Sequence, residues 1–161
     1  MGKLYWRKGS EVKLIVVATD EEYKLAKKRF KYHIIIKTGV GGINVIKTLK
    51  NYPKWLKIIN FGYCGSNNIP IGTELTIDYC GLWHPNVIYK EKIYELKNNQ
   101  DNIYKNVCFT SNDFVTECEI KEPCVFDMEL AYILALGFKN VESIKIVSDN
   151  LSLKEYEKNI N

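Results

Sequence analysis

Short apolar runs alternate along the chain with stretches in which apolar residues recur every three or four positions. Val12 to Ala18 is an almost unbroken apolar run between polar residues, the pattern of a strand buried on both faces. Thr19-Asp20 then caps a helix running from Glu21 to about Arg29. His33 to Thr38 predicts a second strand, Gly39 to Gly42 a tight turn, and Ile43 to Leu49 a helix that ends before Pro53. Leu56 to Gly62 predicts the next strand, and Ile71-Gly72 turns into another from Thr73 to Gly81. Alternation from Val87 to Leu96 predicts an extended segment or hairpin, followed by a loop at Asn98 to Asn102 and a short strand from Val107 to Thr110. Val125-Phe126 leads into a helix from about Met128 to Leu136, stopped by Gly137. Ser143 to Val147 predicts the last strand, and the polar tail from Ser152 one or two helical turns. Strands alternating with helices predict a layered α/β fold, in which ligands bind where strands end and loops begin.

At 161 residues the chain is expected to form one domain. A content of 46% hydrophobic and 26% charged residues excludes disordered and fibrous classes. The longest apolar runs are strand-length, well short of the ~20 residues a membrane span needs. Met1 to Lys8 carries charge with no apolar core after it, which predicts no signal peptide. The net charge of +4 comes with only two arginines, Arg7 and Arg29. Bidentate phosphate recognition favours arginine, so no nucleic-acid partner is expected. The cysteines are five, an odd number without a C-x-x-C spacing, and there are two histidines. This predicts buried thiols in a reducing cytoplasm, with no disulfide framework, metal site or cofactor.

The strand ends carry the chemistry. Gly39-Val40-Gly41-Gly42-Ile43-Asn44 begins like G-x-G-x-x-G, but Asn44 takes the sixth place and no acid follows at a strand end ~20 residues on. It reads either as a tight turn or as backbone amides approaching a sugar or anion. Carboxylates follow three separate strands, at Glu21-Glu22, Asp127-Met128-Glu129 and Ser148-Asp149. Each alone suits a helix start; together they can converge on one pocket.

These segments resemble the nucleoside phosphorylase/nucleosidase superfamily, most of all the methylthioadenosine/S-adenosylhomocysteine nucleosidases. The resemblance rests on Val17 to Glu22, Thr38 to Asn44, Ile59 to Gly65, Ile71 to Glu74, Ser111 to Val115, Phe126 to Glu129 and Val147 to Asp149, in that order, and spans about 14–150. It implies a single three-layer α/β/α sandwich with a central mixed sheet, nucleoside phosphorylase-like, over 1–161. It also implies hydrolysis of the N-glycosidic bond of an adenine-type nucleoside. By resemblance Glu22 activates water, Glu129 holds the ribose hydroxyls over Met128, and Asp149, oriented by Ser148, handles the proton at the base. Phe114 stacks on the base and the Val115 backbone reads its edge. Tyr63, Cys64 and Gly65 line the site, with Tyr63-Cys64 standing where nucleosidases usually carry Ser-Ala. Lys145 replaces an arginine that helps hold water. His84 falls near a family histidine, and the segment from Leu82 to Asn102 matches poorly. A phosphorylase and a non-catalytic nucleoside-binding member are the alternatives. A homodimer is expected, covering Trp83, Tyr89 and Tyr94.

Overall fold

The computed structural model describes residues 12–84, 87–88, 93–98 and 103–160. Tyr89 and Arg7 therefore lie outside the described residues. The order is β1 (Leu14–Val17), α1 (Asp20–Arg29), β2 (Ile34–Lys37), α2 (Gly42–Leu49), β3 (Lys57–Ser66), β4 (Glu74–Thr76), β5 (Tyr79–His84), β6 (Val87–Ile88), β7 (Tyr94–Glu95), β8 (Val107–Thr110), β9 (Val125–Asp127), α3 (Leu130–Ala135), β10 (Asn140–Asp149) and α4 (Leu153–Ile160).

β1 lies between β2 and β3 and runs parallel to both. β10 runs parallel to β3, and β4 adds antiparallel to β10. The far end of β3 pairs antiparallel with β9, through Gly65 opposite Phe126 and Ser66 opposite Val125. β8 continues parallel to β9, and β5 parallel to β8. The sheet is thus mixed, as expected. Alternation along β1 divides the core. Ile15 and Val17 pack with Ala26 of α1 and Phe61 on one face. Leu14 and Val16 pack on the other with Val45 and Leu49 of α2 and Leu130 and Ile133 of α3. Helices on both faces make three layers. Among the described residues no helix is long and apolar enough to cross a membrane.

Three departures from the expected elements have local causes. The strand expected from Thr73 to Gly81 is two strands, β4 and β5. The chain passes from β10 to β8 at Ile77-Asp78, where the Ile77 amide donates to the Ser143 carbonyl and the Asp78 amide to the Asn106 carbonyl. The buried Asp78 carboxylate pins this corner by accepting from Asn98 Nδ2 at 2.9 Å and the Asn106 amide at 2.7 Å. The helix expected from Met128 starts two residues later, because Asp127 still belongs to β9 and its Oδ2 accepts from the Leu130 amide at 2.8 Å. Finally, Trp83 and Tyr94 do not form an exposed patch. Trp83 packs against the rings of Phe109 and Phe126, and Tyr94 packs against the core. Exposed apolar side chains are spread over the described surface, and three of them, Val40, Ile43 and Ile46, lie together on and before α2.

The loop 111–124 between β8 and β9 carries Phe114 and Val115. Asn67, just past β3, ties its far end down. Its Nδ2 donates to the Ile120 and Glu122 carbonyls, and its Oδ1 accepts from the Cys124 amide.

Candidate functional site

The three carboxylate segments do meet. The ends of β1, β3, β9 and β10 enclose a cavity of about 280 Å³ lined by, among others, Glu22, Tyr63, Cys64, Gly65, Met128 and Glu129. A smaller space of about 30 Å³ adjoins it, sharing Gly65, Phe114, Phe126, Asp127 and Met128 and adding Val115, Asp149 and Leu151.

Glu22 owes its position to the first turn of α1. Thr19 and Glu22 form a reciprocal capping box. Glu22 Oε1 accepts from the Ala18 and Thr19 amides, both at 3.0 Å, and Oε2 from the Tyr63 amide of β3 at 2.8 Å. A carboxylate has about four acceptor positions, so one remains, on Oε2. Gly62 makes this approach possible: a Cβ there would lie 1.8 Å from Glu22 Oε2, which no side chain tolerates. Burial pushes the Glu22 carboxyl above its ordinary value, while Lys145 and the three amides pull it down.

Glu129 precedes α3 and reaches the glycine turn. Its Oε2 accepts from the Gly41 amide at 2.8 Å. Gly41 is the N-cap of α2 with φ 92°, a left-handed backbone that suits glycine. The turn thus does bring an amide to the site, and the group it meets is a carboxylate of the protein. Burial, and then the neighbouring Asp127, push Glu129 up to about 8, against the opposing pull of Lys145 and the Gly41 amide.

Asp149 ends β10. The Ser148 hydroxyl donates to Asp149 Oδ1 at 2.8 Å and lies 3.2 Å from the Cys64 carbonyl. Asp149 Oδ2 accepts from the Leu151 amide at 3.0 Å. Burial raises the Asp149 carboxyl, against these hydrogen bonds. Burial likewise pushes the Cys64 thiol far up, which favours its neutral form on the cavity wall.

Lys145 lines neither cavity. The resemblance places it against water, and it is 1% exposed. Its ammonium donates to Asp127 Oδ2 at 3.0 Å. Asp127 also accepts from the Thr110 hydroxyl at 2.5 Å and the Leu130 amide at 2.8 Å. Burial would raise the Asp127 carboxyl, but the ammonium and these donors outweigh it and hold it below its ordinary value. Burial alone would lower Lys145, but Asp127, Cys108, Glu129 and Glu22 outweigh it and keep the ammonium charged. Lys145 therefore acts on the site through its charge. His84 sits at the exposed end of β5 and lines neither cavity.

Sequence reasoning did not name Tyr156 and Leu151. Tyr156 of α4 lines the larger cavity and packs edge-on against Phe114, ring centroids 5.6 Å apart. Its phenol is raised by burial and by Glu22, Glu21, Glu129 and Asp149. The polar composition of the tail gave only its single aromatic at helical spacing as a signal.

The fold around these residues is shared with solved structures of nucleosidases. No protein-family model and no curated protein matches the chain. Solved structures do. The 5'-methylthioadenosine/S-adenosylhomocysteine nucleosidase of Helicobacter pylori is 15% identical, with 94% of this chain and 92% of that one covered at a TM-score of 0.70. The S-adenosylhomocysteine nucleosidase of Streptococcus pyogenes, solved with 5-methylthiotubericidin, is 16% identical, with 94% and 91% covered at 0.73. The futalosine hydrolase of Helicobacter pylori is 14% identical, with 92% and 91% covered at 0.70.

The titration of Glu129 is testable. An acid raised from 4.5 to about 8 on folding binds protons in the folded state that the unfolded chain has released. Its contribution to stability is full at low pH and is lost as pH rises from about 4.5 to about 8. Urea unfolding from pH 5 to 8 should therefore show a fall in stability that is smaller in Glu129→Gln. Equal slopes in the two proteins would mean that Glu129 is ionised throughout.

Proposed function

We propose that the chain is an N-ribosyl hydrolase acting on an adenine-type nucleoside. The observation that carries this reading is the convergence of Glu22, Glu129 and Asp149, from three strand ends, on adjoining cavities of a fold shared with nucleosidases. The leaving base is poor and the sugar becomes cationic. Asp149 delivers a proton toward N7 of the base, so that the C–N electron pair leaves with a neutral purine. Water, held on the free position of Glu22 Oε2, bonds to C1′ and gives its proton to Glu22. Glu129 accepts from the ribose hydroxyls above Met128. Phe114 stacks on the base, and the Val115 backbone reads its edge. The Tyr63 ring and the Cys64 and Gly65 backbone complete the sugar side. Lys145 fixes the charge state of this acidic cluster rather than touching the water.

Two observations favour water over phosphate as nucleophile. Arg29 is paired with Glu74, Nη2 to Oε2 at 2.9 Å, and stacks on Phe61, on the α1 face of the sheet. Among the described residues the larger cavity has Glu22 and Glu129 on its walls and no arginine, and an ionised carboxylate repels phosphate. The five cysteines are free, which suits the cytoplasmic setting expected from sequence.

Incubation with methylthioadenosine in phosphate-free buffer should release adenine. Asp149→Asn should slow release by about 10²–10⁴-fold. Glu22→Gln should abolish it and also weaken folding, since its amide nitrogen must face the Tyr63 amide or those of Ala18 and Thr19, donor against donor. 5-Methylthioribose 1-phosphate formed only with added phosphate would assign a phosphorylase. Binding without turnover would assign a sensor.

We also propose that the expected homodimer forms over the exposed face at Val40, Ile43 and Ile46. Val40 also lines the larger cavity, so a second copy there would help close it. Light scattering should report a dimer that Ile43→Glu converts to monomer. A parent that is monomeric at high micromolar concentration would refute this.

A further inference from the structure

Leu151 is the one described non-glycine residue with a left-handed backbone, at φ 62°. A branched side chain adopts this conformation only where its surroundings over-determine it. Here they do. The preceding Asn150 donates through Nδ2 to the Ser66 carbonyl at 3.2 Å and the Ile69 carbonyl at 2.9 Å. The Asn150 amide donates to Glu155 Oε1 at 3.2 Å, and Asn159 Nδ2 reaches back to the Ser148 carbonyl at 2.9 Å. α4 is thereby fastened to the end of β10, and the turn between them has little freedom.

The turn does two things at the site. It aims the Leu151 amide at Asp149 Oδ2. It also lays the Leu151 side chain along the wall of the smaller cavity, with Cδ2 3.3 Å from where a Gly65 Cβ would stand. Only about 30 Å³ is open there, against about 280 Å³ on the sugar side. Whatever edge of a ligand meets Asp149 therefore meets the leucine as well.

We propose that Leu151 is a specificity-determining residue, closing the space beside Asp149 so that a base with a bare amino group is admitted and one carrying a further group on that nitrogen is refused. This rests on the adenine-type reading above, in which Asp149 faces N7 and the 6-amino edge. Backbone and side chain then work together. The amide occupies one side of Oδ2 and fixes the carboxylate, and the isobutyl group limits what extends beyond it.

Calorimetric titration with adenine and with N6-benzyladenine tests this without requiring turnover. Leu151→Gly keeps the amide on Asp149, accepts the left-handed backbone and removes the side chain. Leu151→Asn also accepts that backbone but keeps comparable bulk. The parent and Leu151→Asn should favour adenine by at least about tenfold. Leu151→Gly should bind the two within about threefold, mainly through a gain for the larger base. Adenine binding by all three proteins is the check that they are folded. The inference is overturned if the parent binds both bases equally, or if Leu151→Gly binds adenine with unchanged selectivity. No adenine binding by the parent would overturn the adenine-type reading and the inference together.

Discussion

One buried ion pair, Lys145 to Asp127, holds the site end of this molecule together. The two side chains are 2% and 1% exposed, so neither charge has water as an alternative partner. Removing both from water is costly, and further donors to the carboxylate help make the pair tolerable. Thr110 of β8 and the first amide of α3 donate to Asp127, and the Thr110 hydroxyl in turn accepts from the Ala131 amide at 2.9 Å. A single carboxylate thus joins β8, β9, β10 and α3 where the two halves of the sheet meet. Had the pair been an arginine and a glutamate, a planar fork would have met a longer acid. Lysine and aspartate instead place one point charge at the floor of the site.

That charge sets what the cavity can do. Glu22 and Glu129 both feel the ammonium, and both are buried enough that without it their ionised forms would be still less favourable. Main-chain amides supply the rest of their support: Ala18, Thr19 and Tyr63 for Glu22, Gly41 for Glu129 and Leu151 for Asp149. Amides fixed in the sheet and its turns hold acids more rigidly than mobile side chains would, and rigid placement is what proton transfer and cation stabilisation require. The same arrangement demands close backbone approach at Gly62 and a positive φ at Gly41, which is why glycine occupies both positions.

Much of this was legible in the chain. Buried strands announce themselves as apolar runs, and β1, β2, β8 and the two faces of the sheet follow from them. Thr19 was readable as a cap, and the acids after three strands were readable as candidates. What escaped was set by distant partners. The corner at Asp78 depends on Asn98 and Asn106. The late start of α3 depends on Asp127 serving both the helix amide and Lys145. The partner of Lys145 was not legible either, because sequence shows the type of a residue and not which of several acids it will reach. Trp83 looked like surface because its ring partners, Phe109 and Phe126, lie on other strands. Leu151 carries no local mark of a positive φ at all.

The organising role of the ion pair can be measured directly through urea unfolding of Lys145→Met, Asp127→Asn and the double variant. Each single change strands one buried charge and should cost about 3–5 kcal/mol. The double variant removes both charges and should lose less than the sum of the two by about 2 kcal/mol or more. Losses that simply add, to within about 0.5 kcal/mol, would show that the two residues do not depend on each other and would contradict this account.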